Sequence, residues 1–180
     1  MLKGKKLEKY AELVLKVGVN LQKGQGLLIA CPVEKREIAE AFTEQAFLLG
    51  ASDVRVRWED DVIDRLNYEN ADVDTLCEVP KWFVESRMYI VEKGYCYVAI
   101  AAEDPSAFKN VPAEKLARIS AARSKALKRY SDEVMNNGIR WCVVSVPTES
   151  WAKQVFPDSG DPEEKLSVAI EKTMRLDEKD

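Results

Sequence analysis

The chain has 180 residues, the length of one ordinary domain, and its 46% hydrophobic side chains supply a core that excludes wholesale disorder. Twenty-seven basic against 31 acidic residues leave a net charge of −4, which gives no overall attraction for nucleic acid or an anionic membrane. No apolar run approaches the ~20 residues of a membrane span, and the basic start Met1-Leu2-Lys3-Gly4-Lys5-Lys6 leads into no signal-peptide core, so a soluble, cytoplasmic chain is expected.

Apolar positions at helical spacing (Leu7, Tyr10, Ala11, Val14, Val17) predict a helix over 7–17, broken by Lys23-Gly24-Gln25-Gly26. Residues 27–31, apolar throughout and ended by Pro32, read as a strand buried on both faces. A helix over 34–49 follows, with Ile38, Ala39, Phe42 and Ala46 on one side and Gly50 as its stop. Period-two alternation over 53–58 gives a strand with one wetter face, fitting a sheet edge. Two short acidic helices, 60–70 and 72–78, precede a helix that Pro80 opens and that runs to about residue 92.

A third strand spans 96–102. One long helix is predicted over 113–135, introduced by Pro112 and stopped by Asn136-Asn137-Gly138, and a fourth strand spans 139–146. Short helices over 148–155 and 162–174 complete the chain, the last set off by linker-like composition over 157–162. Strands separated by helical segments imply an α/β fold: a mainly parallel sheet of about four strands with helices on both faces.

The sequence contains no histidine, so it cannot build a Ser-His-Asp or Cys-His pair or the usual zinc sites alone. Cys31, Cys77, Cys96 and Cys142 form no C-x-x-C pair and read as reduced thiols, three of them within apolar runs. No strand end carries the glycine spacing that cradles a phosphate, which disfavours nucleotide binding. Asp60 and Asp61, at a strand end, could hold Mg²⁺, but the same residues suit the N-terminus of the next helix, and capping is the preferred reading.

Between Lys109 and Tyr130 stand seven basic residues and one acid, Glu114. At helical spacing Lys115, Arg118, Lys125 and Arg129 form a stripe, read as a solvated face or one that docks an acidic surface. Arg123 instead falls within the apolar face, where a guanidinium needs a partner; Glu103 and Asp104 are the first candidates. Of the four tryptophans, Trp151, beside Val146-Pro147-Thr148, is best placed to meet another domain or a ligand.

Several strings together resemble the thermophilic metallo-aminopeptidase family, the aminopeptidase S/T/II group. They are the run from Tyr10 to Gln25, Trp58-Glu59-Asp60-Asp61, Lys125-Ala126-Leu127-Lys128-Arg129-Tyr130 with Met135-Asn136-Asn137, and the run from Val146 to Lys153 with Val155-Phe156-Pro157-Asp158. Their order and approximate spacing are the family's. The resemblance implies an N-terminal α/β domain over 1–157, with 158–180 a linker and helix leading towards a C-terminal metal-binding domain absent from this chain. It further implies a parent enzyme that removes N-terminal amino acids from peptides using two divalent cations (Zn, Co or Mg), as a homodimer. The family's metal ligands match no position here, so no catalytic or metal residue and no cofactor is assigned to this chain. The low-level contact candidates are Arg123, Trp151, Asp60 and Asp61. The alternatives are a stand-alone α/β binding or assembly module, or a carboxylate–Mg²⁺ site near Asp60 and Asp61.

Overall fold

A computed structural model describes residues 2–102, 104 and 106–176. Its centre is a four-stranded, fully parallel sheet of order β2-β1-β3-β4, with β1 Gly26–Pro32, β2 Asp53–Glu59, β3 Cys96–Ala101 and β4 Trp141–Ser145. β1 is buried at every position, as its unbroken apolar run requires, and β2 is an edge strand, as its alternation predicts.

Helices cover both faces. On one, α1 (Lys5–Leu13) with the π-helical turn Val14–Gly18, α2 (Arg36–Leu48), α8 (Glu149–Val155) and α9 (Pro162–Thr173) enclose the main core. Leu27, Ile29 and Cys31 of β1 and Cys96, Val98 and Ile100 of β3 point into it. The opposite face, represented by Leu28 and Tyr97, packs on α5 (Lys81–Glu92) and α7 (Lys128–Met135) through Ile90, Tyr130 and Val134. A third cluster, Tyr68, Val111 and Ile119 with Phe108 and Leu116, joins α3 (Asp61–Asn70), α4 (Val73–Cys77) and α6 (Ala113–Ala126).

Two expectations change. The long helix over 113–135 is two helices, because Leu127 leaves the helical region (φ −93°, ψ 9°) between α6 and α7. No proline or glycine stands there. The halves serve different cores: Ile119 of α6 packs with Tyr68, whereas Tyr130 and Val134 of α7 pack beneath α5. The linker-like stretch over 157–162 is a turn that returns α9 onto the body. Leu166, Ile170 and Leu176 enter the main core, Lys6 pairs with Glu171 at 2.5 Å, and Lys35 lies 3.6 Å from Glu163.

Glycine is needed where backbone and ring meet. A Cβ on Gly26 would lie 2.5 Å from the Tyr95 ring, and Tyr95 is held in place by donating its hydroxyl to Asp53 Oδ2 at 2.5 Å. Gly50 ends the helix region of α2 with φ 91°, the left-handed conformation that closes a helix. The four cysteines are free thiols, and burial pushes those of Cys31 and Cys96 up to about 11, so they remain protonated near neutrality. No helix among the described residues is long and apolar enough to cross a membrane.

Candidate functional site

The strand order reverses direction between β1 and β3, and an open parallel sheet receives ligands outside the carboxyl ends of its strands at that point. An open cleft of about 2150 Å³ lies there. Its floor includes Pro32, Glu59, Ala101, Ala102 and Ser145 from the strand ends. From there the lining continues across Leu28, Arg55 and Arg57 on the sheet face beneath α5, which contributes Trp82, Phe83, Arg87 and Ile90. Asp64 and Tyr68 of α3, Arg123 of α6 and Trp151 of α8 complete the walls.

The four residues singled out from sequence all line this cleft. Asp60 is the N-cap of α3: its Oδ1 accepts from the backbone N–H groups of Val62 and Ile63, both at 3.0 Å. The Asp61 carboxylate accepts from the backbone N–H of Asp104 at 3.2 Å, tying α3 to the loop after β3. Trp151 is half-buried against the main core, and its backbone N–H donates to the capping hydroxyl of Thr148 at 3.3 Å.

Arg123 has a different partner from the one expected. Its Nη1 donates to the Tyr68 hydroxyl at 2.6 Å, and its guanidinium lies 5.4 Å from the Tyr68 ring centre and 5.9 Å from that of Phe83. Asp104, one of the two acids expected to pair with it, instead accepts from the backbone and hydroxyl of Ser106. The other, Glu103, lies outside the described residues. α3 packs over α6, so the partner comes from that helix. Burial raises the Asp64 carboxyl above the usual range; the Arg123 charge opposes this, while Asp61, Glu59 and Asp60 add to it. Part of the basic stripe also finds its partners within the chain: Lys115 donates to the Ala71 carbonyl at 2.7 Å and Arg118 pairs with Asp74 at 2.5 Å.

Arg57 and Arg87 also line the cleft and were not singled out from sequence. Arg57 donates to Glu59 at 2.9 Å and to the Tyr97 hydroxyl at 3.0 Å, while its Nη1 is buried without a partner. Burial works against its charge, but Tyr97 and Glu59 overcome this and raise its pKa. Arg87 stacks 4.6 Å from the Phe83 ring centre, and burial together with the Arg57 charge pushes it down to about 10. The alternation of residues 53–59 did contain one signal, since Arg55 and Arg57 share the wetter face of an edge strand. The approach of Arg87, thirty residues further on, had none.

Residues 3–180 match the thermophilic metalloprotease (M29) family. The chain belongs to that family. It is 34% identical over 177 residues to aminopeptidase PepS of Streptococcus thermophilus, covering 97% of this chain and 43% of PepS. It is 32% identical over 178 residues to aminopeptidase T of Thermus thermophilus, again covering 97% of this chain and 43% of the relative. The solved structure of wild-type AmpT from Thermus thermophilus superposes with a TM-score of 0.85 at 30% identity, over 91% of this chain and 42% of that one. The chain thus spans less than half the length of these relatives and corresponds to their N-terminal part.

A metalloprotease family implies a divalent metal in the parent enzyme. The donors here do not fit such a centre. The sequence has no histidine, and among the described residues no three Cys, Asp or Glu side chains gather where they could hold an ion. Of the two aspartates first considered for Mg²⁺, Asp60 is engaged by two backbone donors and Asp61 by one.

Proposed function

We propose that this chain is the non-catalytic N-terminal α/β part of a cytoplasmic, metal-dependent aminopeptidase that removes N-terminal amino acids from peptides. The observation that carries this reading is the family match over residues 3–180 joined to coverage of only 43% of aminopeptidase relatives. In this reading two divalent cations (Zn, Co or Mg) and the groups that bind them belong to a C-terminal catalytic part, and the parent is a homodimer. The role of the present chain is to flank and shape the cavity in which the peptide lies.

The surface around the cleft supports that role. Trp58, Val62, Ile63, Leu66 and Trp82 are all exposed, with Trp82 67% accessible. So large an apolar rim on one side of a chain is what a covering domain would bury. The free thiols suit a reducing compartment.

Reading the source gene past the codon for Asp180 tests the proposal. A frame that stays open into a region bearing His, Glu and Asp ligands supports it. A stop codon at that point overturns it and leaves a stand-alone binding module.

A further inference from the structure

Arg57 and Arg87 both line the cleft; the Arg57 charge acts on Arg87, and Glu59, which pairs with Arg57 at 2.9 Å, is a carboxylate whose charge reaches both. Arg57 is three-quarters or more covered, at 22% side-chain exposure, and its Nη1 has no partner. Among the described residues Arg87 makes no ion pair, and its guanidinium lies over the Phe83 ring. Burial raises the Tyr130 phenol beside them, so that side chain supplies no negative charge near neutrality. Holding two guanidiniums together in a partly dry site is costly unless an anion joins them. One planar carboxylate would balance the charge, give Nη1 an acceptor and meet the fork geometry that arginine presents.

We propose that Arg57 and Arg87 bind a carboxylate, and that its source is the C-terminal α-carboxylate of a short peptide. The choice of a peptide rests on the aminopeptidase reading above. An aminopeptidase works at the amino end of its substrate, so the free carboxylate is the feature of a short peptide that remains to be held. The cleft walls suit a peptide: Phe83 and Trp82 offer aromatic faces close to Arg87. The pair would favour short substrates with free C-termini over long or amidated ones.

Calorimetric titration of the 180-residue chain with Ala-Ala-Ala, with its C-terminal amide and with acetate tests this. The free acid is expected to bind at least tenfold more tightly than either other probe. Arg87→Met should abolish that ratio, and it breaks no ion pair among the described residues. Arg57→Lys keeps the charge but loses the fork, and should reduce the ratio severalfold. Equal binding of acid and amide, no saturable binding of the acid, or an unchanged ratio in Arg87→Met overturns the site. Acetate binding as tightly as the tripeptide overturns the peptide assignment. None of these readouts involves turnover, so their failure leaves the domain reading standing, while failure of that reading is seen in the gene.

Discussion

Arg123 joins three elements through one guanidinium: it bonds Tyr68 of α3, lies over Phe83 of α5 and is carried by α6. Tyr68→Phe removes the acceptor while keeping the ring, and should cost about 1–2 kcal/mol in urea denaturation, since a half-buried charged donor loses its bond. Arg123→Met should cost no more, because it leaves no charge stranded. Its place on an apolar helix face announced the need for a partner. The partner itself was not legible, because Tyr68 is 55 positions away and reaches Arg123 only through the packing of α3 on α6.

Glu171 carries a pH dependence. It is 3% exposed; burial alone would raise its carboxyl, but the bonds from Lys6 and from the Ser167 hydroxyl at 3.1 Å outweigh this and hold it below its ordinary 4.5. The folded state therefore favours the ionised form. That stability is fully present above the ordinary value and is lost as the pH falls through the lowered one. Glu171→Gln should flatten the fall in melting temperature between about pH 5 and pH 3, and lower stability near neutrality by about 1–3 kcal/mol. An unchanged acid limb would show that α9 is not tied to α1 through this pair.

Among the elements, those fixed by local pattern were readable and those fixed by remote packing were not. The apolar run of β1 and the alternation of β2 gave a central and an edge strand, and capping chemistry placed the start of α3 at Asp60. Asp60→Ala should accordingly cost about 1 kcal/mol, read from the denaturation midpoint. The division of α6 from α7 at Leu127 carries no breaker residue and follows from two separate clusters drawing the halves apart. At Gly26 the requirement is close approach: Gly26→Ala sets a methyl group against the Tyr95 ring and should cost about 1–3 kcal/mol by overpacking. Full stability of that variant would mean that the ring moves freely.

At the scale of the whole molecule, the sheet order puts the strand ends, the α3 acids and the Arg57–Arg87 pair around one cleft. Asp60, Asp61 and Trp151 reach it because they follow strand ends, which converge where a parallel sheet reverses its order, and Arg123 reaches it from α6. The arginine pair did not emerge, since it depends on α5 packing over the sheet face that carries Leu28 and Tyr97, with Arg57 lying over the Tyr97 ring. The apolar rim predicts that the isolated chain binds a hydrophobic dye and self-associates, and that Trp82→Gln with Ile63→Gln weakens both. A monodisperse, dye-silent chain would favour a stand-alone module.

On the proposed function, the 180-residue chain has no peptidase chemistry of its own. The most direct test is hydrolysis of an aminoacyl-arylamide by the purified 180-residue chain with added Co²⁺, Zn²⁺ or Mg²⁺. No release of arylamine above the metal-only control is expected with any of the three ions. Metal-dependent turnover by this chain would contradict it.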